Sequence, residues 1–130
     1  MEQSSKTLTF VVPAYNMETY LERCVESLLS ATDNSDIEVL IVDDGSSDGT
    51  PELADMYERR WPGNVRAIHQ VNKGHGGAVN TGIANATGMY VKVVDADDWV
   101  DMPSIDTLMG TLRVQRVATD PVDMIVTNYV

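Results

Sequence analysis

The chain has 130 residues, 43% hydrophobic and 22% charged, and its 20 acidic and nine basic side chains give a formal net charge of −11. That length holds one domain with a core of its own. The charge excludes nucleic acid as a partner, since phosphate contacts need clustered Lys and Arg and only Arg59 and Arg60 are adjacent.

No apolar run approaches the roughly 18 residues of a transmembrane segment. The start, MEQSSKTLTF, lacks the apolar stretch of a signal peptide, and Cys24 has no second cysteine to pair with. Both features suit a reducing, cytoplasmic setting, in which the sequon Asn85-Ala86-Thr87 is coincidental.

Residues 1–6 are expected to be a flexible start. Leu8–Val12 is the first of five short apolar runs, followed by Val39–Val42, the weaker Val65–Gln70, Tyr90–Val94 and Met124–Val126. Runs of this length, rich in β-branched residues, predict strands covered on both faces of a parallel sheet. Met17–Ala31 carries Leu21, Cys24, Val25, Leu28 and Leu29 at helical spacing, with Asn16 as the expected N-cap and Glu18 and Glu22 near the positive end of the dipole. Thr50-Pro51-Glu52 reads as N-cap, proline at N1 and first-turn acid of a second helix, which runs to about Arg60 and is stopped by Trp61-Pro62-Gly63. A third helix is expected over Gly77–Ala86 and a fourth from about Pro103 to Val117, capped by Asp101. The alternation predicts an α/β fold with a doubly wound, mainly parallel sheet and right-handed crossovers. The last residues, DMIVTNYV, end inside a predicted strand, so the chain is expected to be the N-terminal portion of something longer.

In such a sheet ligands bind beyond the carboxyl ends of the strands, and three polar motifs fall there. They are Pro13-Ala14-Tyr15-Asn16, Asp43-Asp44-Gly45-Ser46-Ser47-Asp48-Gly49 and Asp95-Ala96-Asp97-Asp98. The first two could each be a simple turn. The third gathers carboxylates in an apolar context, where desolvation is costly without a cation or donor. Other motif readings fail on spacing. An EF-hand from Asp95 would need Gly at Val100 and Glu at Asp106. The glycines around His75 put Val79 where a dinucleotide-binding pattern needs its third Gly, and no Gly-Lys-Ser/Thr occurs. His69, His75 and Cys24 lack a zinc spacing; His69 is expected to finish the third strand and His75 to lie in a loop.

The stretches TFVVPAYNMETYLERCVESLL, VLIVDDGSSDGT and NKGHGGAVNTGIANATGMYVKVVDADDW together resemble the donor-binding half of a family 2 glycosyltransferase, with the GT-A, Rossmann-like fold. The resemblance runs from Thr7 to the end of the chain and implies a donor-binding unit over residues 7–130. It implies transfer of a sugar from a nucleoside diphosphate sugar, UDP-linked by expectation, to a glycan or lipid-linked acceptor, with inversion and with Mn²⁺ or Mg²⁺. Pro13, Ala14 and Tyr15, with Asn16 following, would line the base pocket. Asp43 or Asp44 would accept the hydrogen bond of the base imide, and Gly45 and Gly49 would permit the exit turn. Lys73 and Gly77 would approach the donor from the glycine-rich loop, at a place where many relatives carry Arg. Asp95-Ala96-Asp97 matches the family's DxD motif: Asp97 would hold the cation, Asp95 the ribose or a metal-bound water, and Ala96 would leave room for the donor. Asp98 is expected on the opposite face of the backbone and Trp99 beneath the site.

Inverting transfer also needs a general base, which the family carries well beyond the DxD motif; Asp106, Asp120 and Asp123 do not match it. The resemblance thus implies the donor half of a cytoplasmic enzyme of polysaccharide or cell-surface glycan synthesis, acting at the inner membrane face. The alternative is a nucleotide-sugar binding fragment with no turnover of its own. A sugar-nucleotide nucleotidyltransferase is a weaker third reading, lacking its Gly-rich signature.

Overall fold

The computed structural model describes residues 6–116, in which four strands alternate with four helices. These are β1 (Leu8–Ala14), α1 (Leu21–Leu28), β2 (Ile37–Asp44), α2 (Thr50–Arg60), β3 (Val65–Gln70), α3 (Gly74–Asn85), β4 (Tyr90–Val93) and α4 (Met102–Arg116). The expected strand Met124–Val126 lies outside the described residues, as does the expected flexible start except for Lys6. That residue is tied down, its Nζ donating to the carbonyls of Ser35 and Gly63.

The strands pair in parallel in the order β3-β2-β1-β4. β1 and β2 are buried along their whole length and the outer strands only in part, as expected for the middle and edges of a covered sheet. Alternate residues serve two cores. Leu8, Phe10, Val12, Ile37, Val39 and Ile41 pack with α1, α2 and α4, whereas Val11, Leu40 and Val42 pack with Ala78 of α3. The chain steps outward from β1 to β2 to β3 and then returns to the far side of β1. Reversing direction with crossovers of one hand puts α3 on the opposite face. The reversal opens a crevice beyond β1 and β4, the topological switch point.

Three predicted helix starts move. α1 begins at Leu21, not Met17, because Asn16 does not cap it. Asn16 sits at φ 52° and its Oδ1 accepts from Ser47 N (2.8 Å), while Met17–Tyr20 forms a separate turn. Thr50 is the first residue of α2 rather than its cap, and Gly49 occupies the cap position. Thr50 Oγ1 instead accepts from Met17 N (2.8 Å). α3 begins at Gly74, three residues before the expected Gly77, since Gly74 takes φ 81° and turns the chain straight into the helix. The expected cap of α4 is present, Asp101 Oδ1 accepting from Ser104 N at 2.7 Å.

Candidate donor site at the sheet switch point

A cleft of about 350 Å³ opens where β1 and β4 end, within the size range of small-ligand sites. β1 contributes Pro13 and Ala14, followed by Tyr15, and β2 contributes Asp44. Gly74, His75 and Ala78 come from α3, and Asp95, Ala96 and Asp97 from the loop after β4. Of the expected site residues, Asn16, Asp43, Lys73 and Gly77 do not line it. Asn72, Gly74, His75 and Ala78 line it, all from the Asn72–Asn80 loop and helix start that the resemblance puts near the donor, and Met17 lines it without a role assigned from sequence. The sequence signal for His75 was its place in the glycine-rich loop, which did not reveal which way it faces.

The cleft walls are stitched together by short loop contacts. Asn16 N donates to Ser46 Oγ (3.0 Å), Glu18 N to Asp48 Oδ2 (3.2 Å), and the Ser47 and Met17 bonds described above join the same two loops. Gly45 adopts φ 75°, and a Cβ there would come within 2.8 Å of Asn72 N, so only glycine lets the β2 and β3 exits close together. Gly49, expected to serve the same turn, has an ordinary φ of −80°.

Asp43 and Asp44 are both buried, at 4% and 3% exposure, but face opposite sides of the sheet. Asp43 Oδ1 accepts from Ser46 N (3.1 Å) and Oδ2 contacts His69 Nδ1 (2.8 Å), so both oxygens are engaged on the α2 side. Asp44 Oδ1 accepts from Lys73 N (2.8 Å) and Gln70 Nε2 (2.9 Å). Its Oδ2 accepts no hydrogen bond among the described residues, and the residue lines the cleft. Lys73 therefore meets the site through its backbone N–H, on Asp44.

After β4 the chain stops being extended. Asp98 N donates to Asp95 O (2.9 Å), closing a turn that brings one carboxylate oxygen each of Asp95, Asp97 and Asp98 within 4.8 Å of one another. Asp98 thus joins the other two instead of facing away, because strand alternation ends at Val93. Burial, then the charges of Asp97 and Asp95, holds the Asp98 carboxyl above its ordinary pKa. Hard oxygen donors at this spacing fit Mg²⁺ or Mn²⁺. His75 Nε2 lies 3.8 Å from Asp95 Oδ1 across the cleft.

The loop is seated from below by Val94, Ala96 and Val100, which are buried, and by Cys24, whose thiol donates to Asp95 O at 3.7 Å. Burial, then the Asp98, Asp97 and Asp95 charges, pushes that thiol up to about 12, so Cys24 is packing and no nucleophile. Trp99 is not beneath the site as expected. It is 46% exposed, with the Arg23 guanidinium 3.7 Å from the ring centroid, a cation–π contact that holds the indole at the surface.

Residues 9–126 match the family Glycosyl transferase family 2. The chain is 40% identical over 126 residues to the glycosyltransferase GlyG of Streptococcus pneumoniae, covering 96% of this chain and 40% of that protein. It superimposes with a TM-score of 0.75 and 26% identity on the S. aureus TarS 1–349 structure in complex with UDP, covering 85% of this chain and 33% of that one. The mannosyltransferase PcManGT from Pyrobaculum calidifontis, in complex with GDP-Man and Mn²⁺, gives a TM-score of 0.71 and 27% identity, covering 87% of this chain and 32% of that one. The chain therefore spans two fifths or less of the length of these relatives. No described helix is long and apolar enough to cross a membrane. With its parallel sheet, its switch-point cleft and a family match over nearly its whole length, the chain belongs to glycosyl transferase family 2.

Proposed function

We propose that the cleft binds a UDP-sugar together with a divalent cation, as the donor half of an inverting glycosyltransferase of polysaccharide or cell-surface glycan synthesis. The observation that carries the reading is one cleft lined by Asp44 at one end and Asp95 and Asp97 at the other. The free oxygen of Asp44 suits a base with a ring N–H between two carbonyls, as in uracil or thymine. Pro13, Ala14 and Tyr15 would flank that base. Asp95, Asp97 and Asp98 would hold Mn²⁺ or Mg²⁺ near the diphosphate. A cation bound there supplies Lewis-acid stabilisation of charge on the departing nucleoside diphosphate. The UDP in one related structure supports the base assignment, and the Mn²⁺ in the other, whose donor is GDP-Man, supports a cation beside a nucleotide-sugar.

For the acceptor step, the chain's own residues offer less. Asp101 caps α4, and Asp106 accepts from Thr32 N (2.9 Å) and Oγ1 (2.7 Å), so neither is free to act as a base at the cleft. In this reading the general base and the glycan or lipid-linked acceptor site lie outside the described residues, and donor binding without transfer is the activity expected of residues 6–116. A cytoplasmic location at the inner membrane face completes the reading, since a lone buried Cys24 suits a reducing compartment.

Calorimetric titration with UDP, dTDP, CDP and ADP in Mn²⁺ tests the proposal. UDP and dTDP are expected to bind more tightly than CDP and ADP. Equal affinity for all four would sink the base-pocket assignment.

A further inference from the structure

His69 has both ring nitrogens bonded to carboxylates. Nδ1 lies 2.8 Å from Asp43 Oδ2 on β2, and Nε2 lies 2.7 Å from Asp55 Oδ1 on α2. Ionised carboxylates only accept hydrogen bonds, and a neutral imidazole donates only one. Both contacts are satisfied together only by the imidazolium. Among the described residues His69 is also the one ion-pair partner of the buried carboxylate Asp43. Beyond Asp43 the connection runs straight to the cleft. Asp43 Oδ1 holds Ser46 N, Ser46 Oγ holds Asn16 N, and Asn16 follows the cleft residue Tyr15.

We propose that His69, doubly protonated, is a positioning residue for base recognition: it clamps Asp43 between β3 and α2 and so fixes the β2 exit turn that presents Asp44 and braces Tyr15. This rests on the UDP-binding reading above. The groups facing the ring are Asp43 from β2 and Asp55 from α2; Glu58, one turn along α2, is engaged by Ala67 N (2.9 Å). The hydrogen bonds to Asp43 and then Asp55 raise the imidazole pKa above its ordinary 6.5, against the opposing effect of burial. The clamp is therefore complete below that ordinary value and opens as pH rises through the raised one. Opening leaves the buried Asp43 carboxylate, next to Asp44 in the chain, without its cation, and the geometry offered to the base loosens.

Two measurements on the full chain test this. In ¹⁵N NMR the His69 ring should titrate above the ordinary histidine range, and the backbone amides of Ser46, Ser47 and Tyr15 should shift with the same midpoint. Asp55→Asn keeps an acceptor but removes a charge, so it should move that shared midpoint to lower pH. In parallel, UDP is titrated in Mn²⁺ from pH 6 to 8.5. Wild-type affinity should fall severalfold across that range as the clamp opens, relative to His69→Gln, whose own titration is expected to be flatter and weaker at low pH. His75 is present in both proteins, so any contribution it makes cancels in the comparison. Amides that ignore His69, or a wild-type affinity profile parallel to that of His69→Gln, overturn the proposal. If UDP binds neither protein at any pH, the donor reading is lost, and the clamp is judged on the amides alone.

Discussion

At the residue scale, the consecutive aspartates Asp43 and Asp44 divide two tasks between two faces of one strand. The sequence shows that they face opposite ways, since strand residues alternate. It does not show which faces the ligand, because that depends on α3 alone packing on one side of the sheet. In the fold, Asp43 is engaged by Ser46 and His69, whereas Asp44 lines the cleft. Their amide variants should therefore differ in kind. Asp44→Asn can still accept from Lys73 N, but its other atom becomes a donor, matching the ring acceptor of cytosine instead of the N–H of uracil. UDP binding should weaken by about tenfold or more, the scale of a hydrogen bond to a charged partner, and the UDP-to-CDP preference should shrink or invert. Asp43→Asn loses its charge pairing with His69, so the denaturation midpoint should fall and UDP affinity with it, while the ranking of nucleotides, set by Asp44, stays the same. Nucleotide titrations and urea curves on both variants check this, and a specificity change confined to Asp43→Asn would reverse the assignment.

At the element scale, the strands were legible because short β-branched runs leave few alternatives, and four of the five expected appear at nearly the expected bounds. Helix starts were less legible wherever a polar residue had a distant partner. Asn16 looked like a cap by local sequence, but the Ser46–Ser47 loop, 30 residues on, takes its backbone and side chain. The start of α3 looked like a loop because its glycines are poor helix formers; packing on β1 and β2 decides otherwise. Gly82 is the point of closest approach, where an added Cβ would meet Val11 Cγ1 at 2.2 Å. Gly82→Ala should therefore push α3 off the sheet and cost about 1–3 kcal/mol, as overpacking does. It should also weaken UDP binding, since α3 carries the cleft residues Gly74, His75 and Ala78. Gly110→Ala is the matched control, on α4 with open space around the new methyl. It should stabilise by about 0.5–1 kcal/mol through helix propensity and leave UDP affinity unchanged. Equal stability losses in the two variants would contradict this account of how α3 is seated.

At the scale of the whole molecule, the sheet order brings together carboxylates that lie more than 50 residues apart in sequence, Asp44 and the Asp95–Asp98 turn. Spacing alone made the acidic cluster visible, but the strand rule misplaced Asp98, because the turn that gathers three carboxylates begins only beyond Val93. Among the described residues, the cleft that results is lined by three carboxylates and one histidine, with no Lys or Arg. On a chain of net charge −11, a nucleoside diphosphate should meet repulsion at this site unless a cation intervenes. Metal and UDP should therefore bind with positive, reciprocal coupling of about 1–3 kcal/mol, a range typical of linked sites. Asp97→Ala removes a ligand oxygen and should abolish most of the coupling. Asp106→Ala removes a carboxylate that holds Thr32 and feels the charge of Arg113, on the side of the fold where α4 meets the α1–β2 connection, and should leave the coupling intact. Titrating UDP into each variant with Mn²⁺ and with chelator measures the coupling directly. Wild-type affinity that is the same in both conditions, or a loss in Asp106→Ala as large as in Asp97→Ala, would show that the acidic turn does not bind the cation.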